Sequence, residues 1–238
     1  MAHLHRLNIP KTWPLPRKTG GRWVTKPNPG PHSLELAMPL NIVLRDVLKL
    51  AENTKEVKRI LGNGEILVNK KIRKDKKFPV GLFDVLEIPK LKKRYRLLFN
   101  EKGKFEFYEI DEKDSKIKPY KIIGKTLVKG GKLQLNLYDG TNLLVEKDVY
   151  KVGDTIVLEL GTNKILNHIK FEKGCLLYIY KGKQKSKIGV FEEIREFRYM
   201  QPSNIILKTG KGDKIETRKD YVFVIGKEKP VIQIPIEK

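Results

Sequence analysis

The sequence predicts a multidomain, mainly β protein with one small α+β module and an extended basic arm in front of it. Three observations carry this. Helical periodicity is confined to residues 40–62, short alternating segments separated by turn pairs recur from about residue 96, and residues 1–36 hold prolines and glycines too closely spaced for either pattern. The 238 residues divide on this reading into an arm over 1–38, an α+β module over 39–95, a central β domain over 96–170 and a C-terminal β domain over 171–238.

The arm sets Arg6, Lys11, Arg17, Lys18, Arg22 and Lys26 against one acid, Glu35. Pro10, Pro14, Pro16, Pro27, Pro29 and Pro31, with Gly20, Gly21 and Gly30 among them, leave no apolar period intact. Both tryptophans, Trp13 and Trp23, lie here beside basic residues. The segment is expected to become ordered on RNA, its rings stacking on bases or packing against the next domain.

In the module, Leu40, Val43, Leu44, Val47, Leu48 and Ala51 recur at helical spacing. A second helix begins at Asn53, whose side chain can cap it with Glu56 three residues on. Val57, Ile60 and Leu61 make its inner stripe, while Lys55, Lys58 and Arg59 share its outer face. Gly62-Asn63-Gly64 ends it. Ile66 and Val68 then alternate as in a strand, Asn69-Lys70 turns the chain, and a second strand starts near Ile72. The basic run Lys70, Lys71, Arg73, Lys74, Lys76 and Lys77, with Asp75 as its one acid, falls on strand ends and a connecting loop, continuing the basic face of the helix.

Beyond residue 96 the expected strands are Tyr95–Phe99, Lys104–Ile110, Leu133–Tyr138, Asn142–Val145, Thr155–Leu160, Leu176–Tyr180, Ile188–Ile194, Ile205–Lys208 and Tyr221–Ile225. Gly130-Gly131, Asp139-Gly140, Gly153-Asp154 and Gly212-Asp213 punctuate them. Such spacing belongs to compact barrels or sandwiches and not to a parallel α/β sheet.

A net charge of +22 opposes compaction and calls for a polyanionic partner. Nucleic acid is that partner, because lysine and arginine displace condensed counterions from phosphates. No basic amphipathic helix, transmembrane span or signal peptide is visible, so a cytoplasmic location without membrane partner is expected. The single cysteine, Cys175, excludes internal disulfides and cysteine-based zinc clusters and reads as a small buried hydrophobe. His3, His5, His32 and His168 show no metal-ligand spacing, no phosphate-binding loop occurs, and "TGKGDK" at 209–214 reads as a hairpin turn. No catalytic residue, metal, cofactor or small-molecule substrate is expected.

The stretch from Leu40 to Ile88, with "EVKRILGNGEILVNKK" and "FPVGLFDVLEI", resembles the S-four-type RNA-binding domain. That resemblance implies RNA binding through the second helix and the following loop, a role falling here to Lys55, Lys58, Arg59, Lys70, Lys71, Arg73 and Lys74. "GCLLYIYKGKQKSKIGVFEEI" at 174–194 resembles the KOW motif of SH3-like barrels, with Gly182 and Gly189 at its glycine positions and Ser186 where the motif often has another. Its loop would present Lys181, Lys183, Lys185 and Lys187 to RNA. Both motifs in this order, with Gly30–His32 and the closing "YVFVIGKEKPVIQIP", resemble the S-four-e family of small-subunit ribosomal proteins over nearly the whole chain. The resemblance implies a structural, non-enzymatic component that contacts small-subunit ribosomal RNA, His32 and Trp23 included, and neighbouring ribosomal proteins. An RNA-modifying enzyme and a KOW-type transcription factor are the alternatives. The first requires an essential aspartate in an arginine-containing motif, which no part of 96–238 supplies.

Overall fold

Residues 1–100 with 104–116 form one unit, and residues 101–103 with 117–238 a second. The computed structural model describes residues 3–196, 202–210 and 212–234. Lys211 of the "TGKGDK" turn and Pro235 of the closing motif therefore lie outside the described residues. Three five-stranded and two two-stranded antiparallel sheets dominate the described chain.

The arm departs from expectation. β1 (His3–His5) pairs with β2 (Trp23–Thr25), so the segment between them is a closed loop and not an extended strand of chain. Prolines do deprive this loop of backbone donors, and arginine side chains replace them. Arg6 Nε donates to Gly21 O at 2.7 Å and its Nη1 to Pro16 O at 3.0 Å, while Arg17 Nη2 donates to Ile9 O at 2.6 Å. Trp13 is only 1% exposed, and its Nε1 donates to Ala37 O at 2.8 Å. The arm is thus packed against its own unit.

β3 (Ala37–Pro39) leads into a helical turn, α1 (Leu40–Ile42), that widens into a π-helix over Val43–Val47. The long amphipathic helix expected to reach Ala51 is cut short. Leu48 N–H reaches back to Val43 O and Lys49 adopts a left-handed φ of 52°. Leu40 to Leu44 are buried without exception, so this segment has no solvent face to continue along.

α2 (Thr54–Gly62) forms as its sequence dictates. Asn53 Oδ1 accepts from the N–H groups of Lys55 and Glu56, and Glu56 returns a bond to the N–H of Glu52 at 2.8 Å. Val57 and Leu61 are its buried stripe.

β4 (Leu67–Val68), β5 (Lys71–Ile72), β6 (Pro79–Gly81), β7 (Val85–Ile88), β8 (Lys93–Phe99) and β9 (Phe105–Glu109) follow. They give a sheet of order β5-β4-β7-β8-β9 and a separate β3-β6 pair. A boundary at 95/96 would cut β8, which pairs with β7 on one side and β9 on the other. The last helix of the unit, α3 (Glu112–Ser115), is tied to β8 by Arg96, whose Nη2 donates to Asp114 O at 2.7 Å. Burial lowers the Arg96 guanidinium to about 10, with Asp114 opposing.

The second unit consists of β10 (Ile117–Leu127), β11 (Leu133–Leu137), β12 (Asn142–Val145), β13 (Thr155–Glu159), β14 (Ile165–Ile169), β15 (Leu176–Ile179), β16 (Ile188–Arg195), β17 (Asn204–Thr209), β18 (Lys214–Arg218) and β19 (Val222–Gly226). They form sheets of order β12-β11-β10-β13-β14 and β18-β17-β16-β15-β19. β13 serves two cores by strict alternation. Ile156 and Leu158 pack with Tyr120, Ile122, Leu135 and Leu137, while Val157 faces the core of Cys175, Leu177, Ile179, Phe191, Leu207 and Val224. Each such side chain contributes about 1.5–3 kcal/mol on burial. Cys175 is the buried small hydrophobe expected, and desolvation pushes its thiol up.

Lys121 of β10 donates to the carbonyls of Val222 at 2.8 Å and Asp220 at 3.3 Å. Burial pulls its ammonium down to about 8, with Asp220 opposing and Lys181 and Lys219 adding repulsion. The unfolded chain therefore holds this proton where the folded chain has released it, between about pH 8 and the ordinary lysine value. Stability from Lys121 is fully present above that window and is lost as pH falls through 8, about 3 kcal/mol in all. Urea unfolding of the second unit, followed by circular dichroism, should show stability rising from pH 8 to 10. Lys121→Met should remove that rise.

Candidate nucleic-acid interface

The basic face of the first unit is built on α2 and the turn after β4. Lys55, Lys58 and Arg59 are exposed on one side of α2, opposite Val57 and Leu61. In the turn both Asn69 and Lys70 have positive φ, 52° and 64°, the twist that a two-residue hairpin requires. For lysine this conformation costs about 1–2 kcal/mol, and an ion pair offsets it. Lys70 Nζ lies 2.5 Å from Glu87 Oε1 and 3.5 Å from Ser115 Oγ. Lys70 is thus half-buried and directed at the sheet, while Lys71 and Lys74 are exposed.

Arg73 lies with its guanidinium 4.3 Å over the Phe78 ring and is partly buried. Lys76 and Lys77 are half-exposed, and their carbonyls accept from Asn41 N–H and Asn28 N–H. The one acid of the run shapes its loop. Asp75 takes the Lys77 N–H on one oxygen and the Asn28 amide on the other.

Behind this surface sits a buried carboxylate. Asp84 accepts from Gly81 N–H at 2.7 Å, from Asn69 Nδ2 at 2.7 Å and meets His32 Nε2 at 3.0 Å. Asn69 Oδ1 in turn takes the Val85 N–H. The His32 side chain is wholly buried, so its placement among RNA contacts is corrected. Its ring lies flat against Gly81, where a Cβ would come within 2.2 Å of it, which is why this position is glycine.

In the arm, Lys11, Lys18, Arg22 and Trp23 are exposed and Lys26 is half-buried. Arg6 and Arg17, expected as RNA contacts, direct the guanidinium nitrogens described above at carbonyls of their own loop. Trp23 is 56% exposed.

In the second unit the loop after β15 is closed by Ser186 N–H to Ile179 O and Ile179 N–H to Lys187 O. Ser186 has a φ of 79°, so it occupies the left-handed position that a glycine would favour. Lys183 and Lys187 are exposed, Lys185 is half-buried, and Lys181 lies 5.6 Å over Tyr180. Beside them are cations that sequence reading passed over: Lys219, 5.5 Å over Phe171, and Arg218, 5.8 Å over Tyr221. The Tyr180 hydroxyl donates to Asp220 O, and burial raises its phenol to about 12. Among the described residues no group of three metal-ligating side chains occurs, and no helix is long and apolar enough to cross a membrane.

A family model described as Ribosomal family S4e matches residues 91–165, and one described as RS4NT (NUC023) domain matches residues 2–35. The small ribosomal subunit protein eS4 of Archaeoglobus fulgidus is 48% identical over 237 residues, covering 98% of each chain. This chain belongs to the S4e family. The eS4 protein of Methanocella arvoryzae is 44% identical over 97% of both chains. The crystal structure of the 30S ribosomal protein S4e from Thermoplasma acidophilum superposes with a TM-score of 0.68 at 30% identity, covering 80% of this chain and 95% of that one.

Two features of this S4e chain were not legible in its sequence. No strand was expected over residues 117–127, yet Pro119 and Gly124 both lie within β10, the longest strand among the described residues. Residues 117–121 of β10 are bonded to β13 and residues 122–127 to β11, so Pro119 needs no donor on its second side. Lys121 in the same strand was missed with it. The signal lay in the alternation of Tyr120 and Ile122 about that lysine.

Proposed function

We propose that this chain is a structural constituent of the small ribosomal subunit, binding ribosomal RNA through the basic surfaces of both units and so supporting translation in the cytoplasm. The observation that carries this is the 48% identity to a small ribosomal subunit protein along 98% of the chain. The exposed cations Lys55, Lys58 and Arg59 on α2 and Lys71 and Lys74 beyond β4 support it, because exposed lysine and arginine side chains make the phosphate contacts that position a protein on nucleic acid. On this reading residues 39–95 act as the S-four-type RNA-binding domain. The C-terminal sheet acts as an SH3-like barrel whose KOW loop presents Lys183 and Lys187, with neighbouring ribosomal proteins as further partners and no catalytic step.

Tagged protein in lysate should comigrate with the small subunit through a sucrose gradient and survive a high-salt wash. Release to the top of the gradient would reopen the search for a partner. For the purified protein, replacing Lys58, Arg59, Lys71 and Lys74 together with alanine should weaken RNA binding. The slope of log affinity against log salt should flatten by about 3, from roughly 0.7–0.9 per lost phosphate contact. Melting should change little, since each site is exposed. A fall in melting temperature with unchanged affinity would mean that this face is structural.

A further inference from the structure

We propose that Trp23 is the stacking surface for one unpaired RNA base, with His3, His5 and Arg22 as its surround. The inference rests on the RNA-binding reading above and names a contact within it that is made to a base and not to phosphate. The two tryptophans have divided roles, since Trp13 is 1% exposed and Trp23 is 56% exposed. The exposed ring is nevertheless organised. β1 and β2 place the His3 ring centroid 6.0 Å and the His5 centroid 5.5 Å from the indole, and the Arg22 guanidinium lies 5.3 Å from its centroid. His5 Nδ1 accepts the Leu7 N–H at 3.3 Å, so the neutral ring carries its proton on Nε2, which is left as a donor. A base on the indole would meet aromatic and guanidinium planes together with an imidazole donor, which is the chemistry of single-stranded RNA recognition.

Charge decides between a base and an apolar protein surface. Residues 1–34 contain no aspartate or glutamate, and Arg6, Lys11, Arg17, Lys18, Arg22 and Lys26 lie among them. An aromatic patch set in a wholly cationic segment fits a polyanion that carries rings.

The test uses the full-length protein and three probes: a single-stranded oligouridylate of about a dozen nucleotides, an RNA duplex of equal charge, and heparin, which has charge without bases. The single strand should quench tryptophan emission, whereas duplex and heparin should not. Trp23→Leu should bind the single strand about tenfold or more weakly, with an unchanged salt slope because no phosphate contact is lost. Trp23→Phe should recover part of that loss. The urea midpoint of Trp23→Leu, read through Trp13, should match the parent.

Equal quenching by heparin, or oligouridylate binding by Trp23→Leu equal to the parent, would overturn the proposal while leaving the RNA-binding reading intact. Failure of the parent itself to bind any RNA would overturn both. Loss of Trp23→Leu from the small subunit with unchanged RNA affinity would assign the ring to a protein neighbour and overturn it also.

Discussion

Asp84→Ala is expected to destabilise the first unit by about 3–5 kcal/mol, the range for breaking a buried charged network by removing one partner. The substitution strips the acceptor from Gly81 N–H, from Asn69 Nδ2 and from His32 Nε2 at once. Each orphaned buried group costs about 1–3 kcal/mol. Urea unfolding followed by tryptophan emission isolates the effect, because Trp13 and Trp23 are the only tryptophans and both belong to the first unit. Asp84→Asn keeps the volume and the acceptor toward Asn69 but sets an amide N–H against a second donor, so it should fall between the parent and Asp84→Ala. A shift below about 1 kcal/mol for Asp84→Ala, no more than an ordinary hydrogen bond, would show that the carboxylate does not hold the turn and the arm together.

Trp13→Ala should cost a similar amount, about 3–5 kcal/mol, by a different route. It opens a cavity where the indole is buried and leaves Ala37 O without the 2.8 Å bond from Nε1. The arm is also held through Thr12, whose hydroxyl donates to Glu35 O and whose carbonyl accepts from Phe105 N–H. Loss of the indole should therefore loosen the arm as a piece. Limited proteolysis should cut within residues 6–22 in Trp13→Ala while sparing 40–99. Trp23→Ala, at an exposed site, should stay within about 0.5 kcal/mol of the parent and resist cleavage. Equal protease resistance in both variants would mean that Trp13 is not the anchor.

These two residues show where sequence reasoning reached and where it stopped. Local devices were legible: the Asn53 cap, the Asn69-Lys70 turn, the exposed stripe of Lys55, Lys58 and Arg59, and the alternation in β13 each follow from neighbours a few positions away. The arm was not, because its order comes from partners far along the chain. His32 meets a carboxylate 52 residues on, and Trp13 a carbonyl 24 residues on. Proline density limits the described arm to 3-10 turns at Arg6–Asn8 and Leu34–Leu36, but nothing local said that His3–His5 would pair with Trp23–Thr25 or that Arg6 and Arg17 would supply the missing donors. For the same reason the basic run looked uniform, whereas Lys70 and Arg73 turn toward Glu87 and Phe78 and leave Lys71 and Lys74 to the solvent.

The shared carboxylate has a practical consequence for dissecting the chain. The proline-rich stretch before residue 39 looks like a natural hinge at which to cut, and a fragment starting there would keep every helix of the module. It would also arrive with Asp84 deprived of His32, with Pro79–Gly81 deprived of the partner strand Ala37–Pro39, and with no indole to fill the place of Trp13. Autonomy in this half of the chain belongs to the arm and module jointly, and a piece meant to stand alone has to begin ahead of His3.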